Sequence, residues 1–252
     1  MSAPNRQHNF NVSQRGVALV TALLVVALAT VAAVAMATRL HVDMRRAGNL
    51  LHGEQAYTYA LAAESWAQVI LRRDGEDNDT DSYQDDWATS LPPIAVEGGL
   101  VDGRIDDLQG RFNVNNLVGD NGAVEASNLK FFQQLLERLE LEPTLATVLV
   151  DWIDSDLDVT FPGGVEDETY LLQDPPYRAA NRRLTDISEL RLVQGFTPEI
   201  IEILAPHVTA LPSATLINVN TATPEVLLAL HVDLDPTDID TLIAMRDEEV
   251  FE

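Results

Sequence analysis

Residues 17–38 read VALVTALLVVALATVAAVAMAT, 22 positions without a charged side chain. As an α-helix this run is about 33 Å long, enough to cross a hydrocarbon core of roughly 30 Å. It is apolar on every side, so it has no polar face to turn to water as a surface helix does. A buried core helix and a cleaved signal peptide are the competing readings. Signal peptides carry shorter apolar runs of about 7–15 residues. Here Arg39, Arg45 and Arg46 follow the run, although Ala35 and Ala37 imitate a small-residue cleavage pattern. A single membrane-spanning helix near the N-terminus is the expectation.

Charge divides at the same place. Residues 1–50 carry five Arg and one acid, Asp43, out of 16 basic and 40 acidic residues in the whole chain of 252. A short basic start thus precedes a long acidic body, the pattern of an anchor before a soluble region. The acidic excess, with Lys130 as the single lysine, argues against nucleic-acid binding, which relies on Lys and Arg against phosphate. The absence of cysteine excludes disulfides, Cys-ligated zinc, iron–sulfur clusters and thiol nucleophiles. With 46% hydrophobic residues the body can fold. Two Arg precede the apolar run and three follow it, so counting basic residues does not set its orientation.

The sixteen residues before the run are mostly polar and end Gln14-Arg15-Gly16. A peptidase working at the membrane face needs extended, accessible backbone, which glycine favours. This junction resembles the processing site of type IV pilins and type II secretion pseudopilins. The resemblance implies cleavage by prepilin peptidase between Gly16 and Val17, methylation of the new Val17 amine, and a body on the periplasmic side. Position five after the cut is Thr21. Most members of that family have Glu there, thought to neutralise the terminal amine of a neighbouring subunit. Thr21 brings no charge, which suits a terminal position in the filament better than its repeating shaft.

Beyond the membrane, Leu40, Met44, Ala47, Leu51, Leu61, Trp66 and Val69 recur near helical spacing, so one helix over 17–73 is expected, with a break near Gly53 as the alternative. Asp74–Asp86 is an acidic break; Asp77–Asp81 imitates a calcium loop but lacks its glycine and its closing Glu, and reads as a solvated loop. Gly99–Val101 with Asp102-Gly103 and Arg104–Asp107 predicts a hairpin, and 110–115 a further strand. From Ser127, a predicted N-cap, the chain reads as helical; Pro143 opens a second helix, and Asp186 with Glu189 resembles a capping box. Thr197-Pro198-Glu199 and Thr223-Pro224-Glu225 both read as cap, first-turn proline and acid. Asn113-Val114-Asn115 and Asn218-Val219-Asn220 echo each other, suggesting two related helical units. So few strands make a poor independent sheet, and further C-terminal sequence completing it is expected beyond Glu252.

Residues 151–168, DWIDSDLDVTFPGGVEDE, hold seven carboxylates in 18 positions. Such density repels itself unless solvent or a cation relieves it. Hard oxygen donors without nearby His or Cys favour calcium. The spacing is not that of an EF-hand, and a solvated acidic loop fits the same residues. Asp151-Trp152-Ile153-Asp154-Ser155-Asp156, Gly164-Val165-Glu166-Asp167, Tyr170, Pro176–Asn181, Ser188–Arg191 and Asn218–Ala222 resemble, in order, the K family of type II secretion minor pseudopilins. The resemblance implies an α+β fold: a long N-terminal transmembrane helix and a pilin-like α/β domain interrupted by a large all-helical, SAM-like domain. It implies boundaries at 1–16 for the leader, 17–38 for the membrane segment, 74–125 for the pilin-like portion, 126–212 for a first helical subdomain and 213–252 for a second. It further implies calcium held by Asp154, Asp156, Glu166 and Asp167, with Asp151 as a further candidate ligand. The implied setting is the inner membrane, and the implied partners are the I and J components, the major pseudopilin and prepilin peptidase.

Rival functions share some of these features. Paired carboxylates can hydrolyse glycosides, but no nucleophile–His–acid grouping is legible. The stretch from Ile217 resembles the start of a helix-hairpin-helix DNA-binding unit, yet its turn, His231–Pro236, has no glycine and two acids. A membrane-anchored calcium-dependent binding protein or a minor type IV pilin would share the anchor.

Overall fold

The computed structural model describes residues 13–90 and 92–251. Residues 1–12 of the expected leader lie outside it. The architecture is α+β, rich in helix, with one long apolar N-terminal helix and few strands. Helix α1, Ser13–Asp77, is continuous through Gly53 over 65 residues, roughly 100 Å. Residues 16–47 are exposed throughout. Thr21, Thr30 and Thr38 donate their hydroxyls back to the carbonyls of Val17 and Ala18, of Val26 and of Val34, at 2.8–3.1 Å. No hydroxyl in the apolar run is therefore left for water to satisfy, as a lipid environment requires. Gly16 is already helical, contrary to the extended junction expected there. One glycine costs a helix about 1 kcal/mol relative to alanine, too little to stop an apolar run from propagating past it.

Two compact units divide the chain. The first takes the chain through Ser65 together with Ile94–Val101. Its strands β1 (Ile94–Val96) and β2 (Gly99–Val101) pair antiparallel, with Ile94 opposite Val101. The turn is Glu97-Gly98, not the Asp102-Gly103 turn expected, because Gly98 takes φ +90°. The Glu97 carbonyl accepts from Gln55 Nε2 (3.0 Å) and from the Tyr59 hydroxyl (3.4 Å), which tie the turn to α1.

The second unit takes Trp66–Pro93 and Asp102–Glu252. The expected boundaries at 125 and 212 thus fall inside one compact body. Strand β3 (Phe112–Asn113) pairs parallel with β4 (Val208–Thr209), a strand sequence reading missed. Helix α2 (Ala126–Arg138) buries Phe132, Leu135 and Leu136 and packs on α3 (Leu145–Ile153). Its N-cap is Glu125 rather than Ser127, since the Glu125 amide donates to the Leu117 carbonyl (2.9 Å) and turns the chain two residues earlier. Asp186 caps a 3-10 turn over Ile187–Leu192 by accepting from the Ser188 amide. Two further short helices, α4 (Asp167–Tyr170) and α5 (Pro198–Leu204), precede β4. After β4 come α6 (Pro224–Leu228), which contacts α2, and α7 (Pro236–Glu248). Thr197 and Thr223 cap α5 and α6 as expected, accepting from the amides of Ile200 and Val226. The core runs from Phe112 and Phe132 through Leu149 and Trp152 to Tyr170, Leu204, Leu227 and Ile239.

Candidate metal centre

Helix α3 ends where its apolar face ends, and the acidic segment leaves from that point. Asp151, in the last turn, is fully buried and accepts from the Thr160 amide through both oxygens, at 3.1 and 3.2 Å. Asp154 follows as the extended C-cap of α3 and is 2% exposed. The chain then runs out through Asp156 and Asp158, turns at Pro162-Gly163-Gly164 and returns to Glu166, the N-cap of α4, 6% exposed. Gly164 passes so close to Asp151 Oδ2 and the Thr160 carbonyl that a Cβ there would collide with both.

This path gathers Asp154, Asp156 and Glu166, each offering a carboxylate oxygen within 4.8 Å of the others. Asp154 Oδ1 and both oxygens of Glu166 are buried without a hydrogen-bond partner. Burial, then the neighbouring carboxylates, push Asp154 and Glu166 up to about 7. Burial also raises Asp151, against the opposing pull of its bonds to Thr160. Oxygen donors of this kind, anionic, desolvated and crowded, are the donor set that a hard divalent cation takes.

Asp167 does not join them. It is the first residue of α4, and its oxygens are held by Arg178 Nη1 (2.7 Å) and the Ala179 amide (3.0 Å). One residue past the N-cap, the helix turns its side chain away from Glu166. Asp151 stands behind the cluster, committed to Thr160. Sequence reading missed Asn181 as part of this neighbourhood. At φ +45° its amide donates to the Trp152 carbonyl (3.0 Å), its Nδ2 donates to the Asp156 carbonyl (3.3 Å), and its Oδ1 is buried without a partner. Asn181 lies in the Pro176–Asn181 stretch that carried the family resemblance, but a lone Asn has no ligand spacing to betray it.

At the other proposed site residues, the Thr21 hydroxyl is spent on α1's own carbonyls, and Val17 is exposed beside Gly16 in the second turn. Two profiles for type II secretion system protein K match residues 110–213 and 217–252. The type II secretion system protein K of Pseudomonas aeruginosa is 39% identical over 250 residues, covering 95% of this chain and 74% of that protein. The chain belongs to the type II secretion system protein K family. The Aeromonas hydrophila member is 36% identical over 237 residues, 87% of this chain and 72% of its own. The fold is similar to a chain in the crystal structure of the GspK-GspI-GspJ complex from enterotoxigenic Escherichia coli, with TM-score 0.67 and 30% identity over 73% of this chain and 69% of that one. As a protein K family member, this chain is a minor pseudopilin of the type II secretion system.

Proposed function

We propose that this protein K family member is the terminal, priming subunit of a secretion pseudopilus, and that its acidic pocket binds calcium. In this reading α1 is a single-pass anchor in the inner membrane, processed by prepilin peptidase at Gly16–Val17, and the acidic body is periplasmic. Its work is assembly rather than catalysis. The similar E. coli chain occurs with GspI and GspJ, which supports counterparts of those two components as partners here, alongside the major pseudopilin. Thr21 supports the terminal position, because a hydroxyl bonded to its own helix gives a neighbour's amine no countercharge.

The observation that carries the metal reading is the trio of buried carboxylate oxygens without partners on Asp154 and Glu166. A buried unpaired carboxylate is expensive. A proton or a cation must relieve it, and a cation relieves several at once. Asp154, Asp156 and Glu166 would hold calcium directly, with Asp151 shaping the floor and Asn181 Oδ1 as a neutral donor. Calcium supplies the positive charge that fixes the acidic segment in one shape. Co-expression of the full chain with its I and J counterparts, followed by purification in detergent, tests the assembly reading. A K–I–J complex is expected, and recovery of protein K alone overturns it. A calcium titration of the purified chain's melting temperature, reversed by EDTA, tests the metal.

A further inference from the structure

The two Asn-Val-Asn segments build the same device twice. In the first, Asn113 Oδ1 accepts from the Asn115 amide (3.2 Å). The Asn115 carboxamide then pairs with the backbone of Leu184, donating to its carbonyl (2.9 Å) and accepting from its amide (2.8 Å). In the second, Asn218 Oδ1 accepts from the Asn220 amide (3.0 Å). The Asn220 carboxamide pairs with the backbone of Phe251 in the same two-bond pattern, at 2.9 and 2.9 Å. A side-chain amide thus stands in for a peptide group and latches an extended residue as a neighbouring strand would. A helix pair follows the Asn in both cases, α2 and α3 in the first and α6 and α7 in the second; the first copy also has the one-turn α4 before the residue it latches.

The two units part company beyond the second helix of each. From α7 the chain reaches Phe251 after Glu249 and Val250 alone. From α3 it reaches Leu184 only after residues 154–183. That excursion holds every residue of the acidic pocket except Asp151. Its return leg forms one wall: Arg178 and Ala179 hold Asp167, while Asn181 bonds Trp152 and Asp156. Leu184 lies three residues beyond Asn181. Asn115 is 1% exposed, so water does not compete for its bonds. Arg183 adds a second tie, to the carbonyls of Val118 and Pro212 and to Asp120.

We infer that Asn115 and Asn220 are equivalent latches of an internally repeated helical unit, and that Asn115 is a positioning residue for the acidic pocket, closing the base of the excursion inserted into the first copy. The part concerning metal rests on the proposed calcium binding; the latch itself does not.

The test compares Asn115→Ser with Asn220→Ser in the full chain in detergent. Each loses the two-bond latch, and N115S also loses the Nδ2 bond to the Leu211 carbonyl (2.9 Å), so exchange around 211 is read separately from exchange across 154–184. Hydrogen exchange is expected to rise about tenfold or more across 154–184 in N115S but only around 249–251 in N220S. Calcium affinity is expected to fall about tenfold or more in N115S, as for loss of an outer-shell partner, and to stay within twofold of the parent in N220S. Equal calcium affinities, or exchange in 154–184 unchanged by N115S, overturn the inference. If the parent binds no calcium, the metal reading fails, and the exchange pattern alone decides the latch. Should N115S not fold, Asn115→Asp keeps the side-chain shape while losing the donor to the Leu184 and Leu211 carbonyls, and the same comparison runs against N220D.

Discussion

Asp154 and Glu166 are held in a state that water alone would not favour, and the direction of their shift fixes how the protein responds to pH. Both sit at about 7 in the fold, against roughly 3.9 and 4.3 for exposed Asp and Glu. Between about pH 4 and 7 the metal-free folded state therefore binds more protons than the unfolded chain, and its stability falls as pH rises through that window. Above about pH 8 the dependence is spent. At the proposed calcium site the ion would compete with the same protons, so calcium affinity is expected to climb between pH 6 and 8; calorimetric titrations at both pH values check this, and a flat profile refutes it. Asp154→Asn removes the buried charge while keeping the shape. The metal-free melting temperature is expected to rise by about 2–4 °C, equivalent to ~1 kcal/mol in a chain of this size, while the calcium-induced increment disappears. Loss of the increment with a lowered metal-free melt would mean that Asp154 is a structural acceptor instead.

At the scale of elements, what can be read from sequence is what is local. The Thr-Pro-Glu caps of α5 and α6 lie within four residues and emerge as expected. Thr197→Ala and Thr223→Ala should each cost about 1 kcal/mol, visible in urea denaturation. Thr223 should cost more, because its hydroxyl also meets His207 Nδ1 at 2.8 Å. The position of the hairpin is not legible, because two glycine-bearing turns stand side by side and only φ chooses between them. The β3–β4 pair joins two residues to two others far away in the chain, too short for any pattern to reveal. In the acidic segment the crowding is legible, whereas the outward turn of Asp167 is not, since it depends on where α4 begins. Gly164 carries a prediction of its own. Gly164→Ala puts a methyl against Asp151 and the Thr160 carbonyl, so the segment must shift, and calcium stabilisation should be lost while the far-UV helix signal persists.

For the whole molecule, the polar leader and the apolar run meet at Gly16–Val17, and processing at that junction is the sharpest test of the proposed assembly role. Gly16 lies within α1, with open space around it: a Cβ there would meet nothing within 4 Å. Gly16→Ala therefore leaves the fold intact and even favours the helix by about 1 kcal/mol. A peptidase that needs extended backbone must open the first turns of α1 before it can cut, and alanine both resists that opening and adds a side chain at the cut. In cells with active prepilin peptidase, mass spectrometry of the parent should find an N-terminus at methylated Val17, and the G16A chain should keep its leader. Because the fold tolerates the methyl, accumulation of uncut G16A in the membrane at parental levels would locate the defect in processing rather than stability. A parent that retains Met1 under those conditions removes the basis for placing this subunit in a pseudopilus by that route, whatever its acidic pocket binds.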